Sequence, residues 1–300
     1  MLIALLVPIV LAGFVQSWLL IRTAIARKAL RPRGEAVAVG AATNFFDTLG
    51  IGSFAPTLAW LKFRGRVPDR FIPGTMLVSH ALPTIVQAVI FLILLGVHVD
   101  PALIAGSAIA LLIGGLAGAP LALRMRVWVV QIVVATALLI AALLYALSNL
   151  DLMPVGGTAA SLPIPLMVVA IIGNFLMGVL LNFGVGHYAP SLIMLSLMGL
   201  DPRLAFPIMA TAGALTVAGV STRHIPAGNV DLRTAISFAI GGIPAVLIAA
   251  FVVKSMSVEM LRWLVIVVVV YAAAVMLREA AKGRAAERAP EADKQTATSL

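Results

Sequence analysis

Nine stretches of the chain are almost wholly apolar: 3–21, 36–61, 71–97, 101–123, 127–150, 163–198, 204–221, 234–253 and 260–277. Each reaches roughly the 20 residues that cross about 30 Å of hydrocarbon as helix. Little remains between them, so there is no room for a soluble domain. With 62% hydrophobic and 11% charged residues, the chain lies far from water-soluble proteins, where about half the residues are apolar and about a quarter charged. The fold class is all-α integral membrane protein.

The same geometry disposes of other readings. A net charge of +9 would suggest nucleic acid in a soluble protein, but here the Lys and Arg residues sit in short loops, where they set orientation. The partners read from the sequence are the lipid bilayer and a small anionic substrate, with no nucleic acid, and a homo-oligomer is left open. Without cysteine there is no disulfide or thiolate chemistry, and no metal or other cofactor is expected. The first run lacks a basic leader and a small-residue cleavage site, which marks it as a retained helix. The alternating charges of 279–300 suggest a disordered cytoplasmic tail.

Two of the runs are interrupted. Residues 49–56 read LGIGSFAP and residues 183–190 read FGVGHYAP. Sliding the sequence by 134 positions aligns them without a gap, and nine of the 34 positions from 50 to 83 are then identical, including Gly50/Gly184, Gly52/Gly186, Pro56/Pro190, Pro68/Pro202 and Pro73/Pro207. Six of the nine coincidences fall on Gly and Pro, the residues that dictate backbone shape. The chain is read as a duplicated unit.

Loop charges orient the copies. Arg22, Arg27, Lys28, Arg31 and Arg33 precede the run 36–61, and Lys62, Arg64, Arg66 and Arg70 follow it. Basic loops face the cytoplasm, so both flanks of this run belong on one side. A hairpin that enters, breaks at Gly50–Gly52 and returns satisfies this; a single crossing does not. One hairpin plus three crossings is an odd number, so the second copy runs upside down, the inverted-repeat plan of secondary transporters. The expected organisation is an N-terminal transmembrane helix and basic loop (1–34), repeat 1 (35–150), an extracytoplasmic linker (151–162), an inverted repeat 2 (163–278) and the tail (279–300). The alternative is nine full spans with parallel repeats.

Non-helical backbone at membrane depth survives only where protein or a water-filled cavity covers it. Gly-x-Gly permits the turn, and Pro56 and Pro190 fall in the first turn of the next half-helix, where a missing N–H costs nothing. The free amides near Ser53–Ala55 and His187–Ala189 then face a cavity with the positive end of a helix dipole behind them, an arrangement suited to a small anion. A kink for close helix packing is the plainer explanation of one such break; two matched breaks with polar neighbours favour a site.

Substrate contacts are expected from Gly50, Gly52, Ser53, Phe54, Gly184, Gly186, His187, Tyr188 and Asn182, with Thr75 and Ser79 on one face of the following helix. Gln87, Asn174, Thr48, Thr211 and Thr216 are further polar positions at depth. Buried ionisable groups mark pathways by default, which makes Asp47, His80 and His187 candidates for ion coupling. Asp47 has a second reading, as a structural carboxylate capping the half-helix, and His80 as a satisfied interhelical partner. Asn44 is assigned to support the broken backbone, alongside Pro56 and Pro190.

Paired stretches GIGSFAPTL and GVGHYAPSL, each followed by a short Pro-containing loop and a polar-small helix (VPDRFIPGTMLVSH and LDPRLAFPIMATAG), resemble the TauE/SafE family of sulfite-exporter-like permeases over most of 36–278. The resemblance implies transport of small sulfur-containing anions, organosulfonates or related carboxylates across a bacterial inner membrane, coupled to a proton or Na⁺ gradient. Family members carry a longer glycine run, GxGGG, where this chain has Gly-Ile-Gly-Ser-Phe and Gly-Val-Gly-His-Tyr, so its substrate can differ from sulfite. Two other functions fit less well. A passive anion channel uses similar termini, and an intramembrane enzyme built on Asp47 with His187 or His80 lacks any recognisable nucleophile–base set.

Overall fold

The structure, a computed structural model, describes residues 2–95, 98–122, 126–150, 152, 158–181 and 186–298. Asn182 and Gly184 lie outside them. Eleven α-helices follow one another among the described residues: α1 (Leu2–Ala26), α2 (Gly34–Thr48), α3 (Phe54–Arg64), α4 (Ile72–Leu94), α5 (Pro101–Ala122), α6 (Val127–Asn149), α7 (Ile164–Leu181), α8 (Tyr188–Leu197), α9 (Pro202–Ala227), α10 (Leu232–Ser255) and α11 (Val258–Thr298). Eight of these, all but α2, α3 and α8, are long and apolar enough to cross a membrane. The protein is a multi-pass membrane protein.

The element order repeats. Shifted by 134 residues, α2 to α6 fall in sequence on α7 to α11, and the start of α3 coincides with the start of α8. The helices of the two copies interleave: α2 packs along α10, α7 along α5, α4 against α9 and α6 against α11. Absent side chains make the closest of these contacts. A Cβ added at Gly40 would stand 2.6 Å from Phe238 Cα, and one at Gly241 would run into the Val37 carbonyl. The same register in α5 and α7 holds Ser107 and Asn174, joined by a 3.3 Å hydrogen bond. Without a hydrophobic drive between helices in lipid, such close approach and interhelical hydrogen bonding supply the adhesion.

In both interrupted segments the beginning is bonded to the end. Glu35, the second residue of α2, pairs with Arg64 at the end of α3, accepts a 3.0 Å hydrogen bond from Trp60 Nε1 and stands 3.6 Å from Arg66. In the second copy, Ala159 ahead of α7 accepts from the Asp201 amide and donates to the Gly199 carbonyl, each at 2.9 Å, just beyond α8. α2, about 22 Å long at 1.5 Å per residue, is also too short to cross. α7 alone has the length of a span, yet its beginning is tied to the end of α8.

At the C-terminus the structure differs from expectation. Where a disordered tail is read from the sequence, α11 continues as helix to Thr298. It is held along α6 by Trp128, whose indole donates to Glu287 Oε2 at 2.8 Å and whose ring lies beneath Arg284. Charged residues in i, i+3 register, such as Glu279 and Lys282, sustain the helix beyond the apolar segment.

Candidate functional site

The tip of the first hairpin is a helix stop followed at once by a helix start. Gly50 (φ +93°) closes α2: its amide donates to the Asp47 carbonyl at 2.8 Å, and the Ile51 amide donates to Phe46 at 3.0 Å. This is the Schellman pattern, which needs a left-handed residue. Gly52 (φ +88°) then turns the chain into α3. Pro56, third residue of α3, sits in its first turn, and Pro190 holds the same place in α8.

At Gly186, which aligns with Gly52, the second copy differs. Gly186 is exposed and is not among the positive-φ glycines. The sequence expectation that both copies demand glycine for the same backbone reason is therefore corrected: the bend of the described second tip does not use left-handed backbone at Gly186.

Asp47 distinguishes the copies further. Its carboxyl is buried, and the amide and hydroxyl of Ser53, the residue that opens α3, both turn toward it. It lies beside the start of α3, whose first turn carries no side-chain cap hydrogen bond. The equivalent position in the second copy is Leu181, so α8 begins without a carboxylate of its own.

The two tips meet. Gly50 lies against Leu192 of α8 and Val268 of α11. Tyr188, first residue of α8, lies close to the Asp47 carboxyl and to Gln87 of α4, yet its hydroxyl completes no hydrogen bond among the described residues. Gln87 Nε2, Ser79 Oγ and Thr211 Oγ1 are likewise buried without a partner among the described residues. Tyr188 packs edge-on against His187 (4.5 Å between centroids), and His187 Nε2 stands 3.2 Å from the Met209 carbonyl, in the gap left by Gly213 and beside Thr84.

His80 is fully engaged. Its Nδ1 lies 3.0 Å from Asn44 Oδ1, and the Asn44 amide nitrogen donates to Gly40 O, so Oδ1 must accept and Nδ1 carries the proton. Nε2 then accepts from Thr57 Oγ1 at 3.0 Å. Phe54 stacks on this ring and Phe238 meets it edge-on. The neutral imidazole thereby ties α2, α3, α4 and α10 together. In the second copy Ser191, which aligns with Thr57, reaches Asn174 at 3.4 Å. Thr57 and Ser191 are not in the set read from the sequence; the signal for them is the hydroxyl that both copies keep one residue after the proline.

Thr75 lies away from the tips. Its hydroxyl accepts from the Asp231 amide at 2.9 Å, beside the Arg33–Asp231 ion pair at the hairpin's base. The shared helix face with Ser79 is real, but Thr75 is engaged at the base, while the Ser79 hydroxyl is buried without a partner among the described residues. Thr48 and Thr216 bond back to their own helices.

Residues 165–300 match the family model described as Sulfite exporter TauE/SafE. The second half of the chain carries the TauE/SafE match. It spans α7 to α11 and supports the resemblance read from both copies, and the family is one of membrane transporters. No curated protein and no solved structure matched the chain.

Proposed function

We propose that this TauE/SafE-like protein is a secondary transporter that moves a small anion, such as sulfite, an organosulfonate or a related carboxylate, across the bacterial inner membrane under an ion gradient. One observation carries the reading: the N-termini of α3 and α8 converge at the hairpin tips beside buried donors that have no partner among the described residues, Tyr188 Oη and Gln87 Nε2. Buried unpaired donors are costly. Beside helix N-termini they suit an oxyanion, which supplies several acceptors at once. The α8 terminus, with Gly186, His187 and Tyr188, is the principal anion contact, because the α3 terminus already holds Asp47.

We infer further that the copies are inverted. Each hairpin returns to its own side, which leaves α4–α6 and α9–α11 as three crossings per copy. Alternating access then moves one copy against the other about the shared tips.

The test is counterflow in proteoliposomes of the purified protein. Preloading with unlabelled sulfite should drive transient accumulation of external labelled sulfite, saturably, and His187→Ala should impair it. Non-saturable flux without counterflow would identify a channel instead. Unchanged uptake by His187→Ala at every pH tested would remove that residue from the site.

A further inference from the structure

The asymmetry between the hairpin tips says more about the driving ion. In the first copy the α3 terminus stands beside a carboxylate from the end of its own α2; in the second the aligned position is Leu181, so the copy supplies no carboxylate of its own there, and Asp47 is the carboxylate near Tyr188 as well. A carboxylate and a small oxyanion are alternative ligands for such a terminus. We propose that Asp47 is the proton-binding group of the transport cycle: its ionised carboxylate occupies the α3 terminus as a tethered stand-in for substrate, and one proton taken up there frees that terminus for a singly charged anion. This rests on the anion-transport reading and adds the identity of the coupling ion.

Charge balance supports it. Asp47 lies about 18 Å along α2 from Glu35, at membrane depth, and no Lys or Arg acts on it among the described residues. The other titratable groups around it are Tyr188 and His187 of α8 and His80 of α4. His80 is held neutral by Asn44 and Thr57. The charged residues of α10 stand near its ends, and those of α11 lie outside its apolar stretch 263–277. An anion arriving beside ionised Asp47 would place two negative charges close together in a low-dielectric site with no countercharge. Protonating Asp47 removes one of them. The proton comes from the aqueous side the site faces and leaves with the anion on the other; no other bond is made or broken.

Na⁺ fits the same place poorly. In broken-helix transporters the carbonyls at a half-helix C-terminus coordinate the cation. Here those of Phe45, Phe46 and Asp47 accept from the Leu49, Ile51 and Gly50 amides, and that of Asn44 from Thr48 Oγ1.

The experiment uses proteoliposomes of the full chain with labelled sulfite, comparing wild type with Asp47→Asn and Asp47→Glu. Sulfite's own acid–base equilibrium is common to all three, so differences report residue 47. In the wild type an inward proton gradient drives accumulation and a Na⁺ gradient alone does not. Asp47→Asn should keep counterflow, which needs no net proton movement, and lose accumulation driven by the pH gradient. Asp47→Glu should retain coupled accumulation with a displaced pH profile, and it decides the matter should Asp47→Asn not fold. Accumulation by Asp47→Asn equal to wild type, accumulation driven by Na⁺ alone, or loss of counterflow in folded Asp47→Asn would each overturn the proposal. Absence of counterflow in the wild type would instead sink the anion-transport reading.

Discussion

Gly52 and Gly186 align in sequence but differ in backbone, and that difference can be measured. Gly52 has φ +88°, and a Cβ built there meets nothing within 4 Å. Replacing it with Ala therefore costs only the left-handed backbone, about 1–2 kcal/mol for an L-residue. Gly50, at φ +93°, adds a Leu192 methyl 3.3 Å from the new Cβ, so Gly50→Ala should lose at least as much. Gly186 also has open space and no positive φ. Gly186→Ala should stay within about 0.5 kcal/mol of wild type, as ordinary exposed substitutions do. For a chain of this size, ~1–2 kcal/mol corresponds to roughly 2–6 °C in the thermal midpoint. The assay is thermal unfolding of the three variants side by side in one detergent. Equal losses at Gly52 and Gly186, or none at Gly52, would refute the assignment of the strained turn to the first tip.

Three further outcomes follow from the packing. Gly40→Ala forces α2 away from Phe238 of α10 and should cost about 1–3 kcal/mol as overpacking, read as a lowered thermal midpoint. His80→Ala leaves Asn44 Oδ1 and Thr57 Oγ1 unpaired at depth and should destabilise by at least about 2 kcal/mol, with the pH profile of transport unchanged. At the hairpin base, the hydrogen bond from Arg64, then that from Trp60, holds the Glu35 carboxyl down from 4.5 to about 2. Because its folded value is depressed, Glu35's stabilising contribution is present above pH ~4.5 and lost as pH falls toward ~2. The difference in thermal midpoint between wild type and Glu35→Gln should accordingly shrink across that window. Its persistence at the acid end would exclude the ion pair as the clasp.

Nearest-neighbour rules carried much of the architecture. Apolar runs long enough for lipid, Gly-x-Gly ahead of Pro, and a 134-residue offset were enough to place the two breaks, the half-helices behind them and the order of elements. These are local properties, because helix stops, starts and spans depend on residues a few positions apart. The continuation of α11 through the charged tail escaped composition, since Trp128, which holds it, lies 159 residues from Glu287.

Only the folded chain decided which side chains share a neighbourhood. Thr75 and Ser79 occupy one helical face, yet the arrival of Asp231, 156 residues away, claims Thr75 for the base. His80 read equally as relay or as structural partner until Asn44 and Thr57 were found on its two nitrogens. Asp47 came to lie beside the start of α3 because Gly50 and Gly52 fold the chain back so that Ser53 faces it. Sequence spacing fixes which positions align along one helix, but a site between two hairpins depends on how helices from distant parts of the chain approach one another, and that is settled by packing.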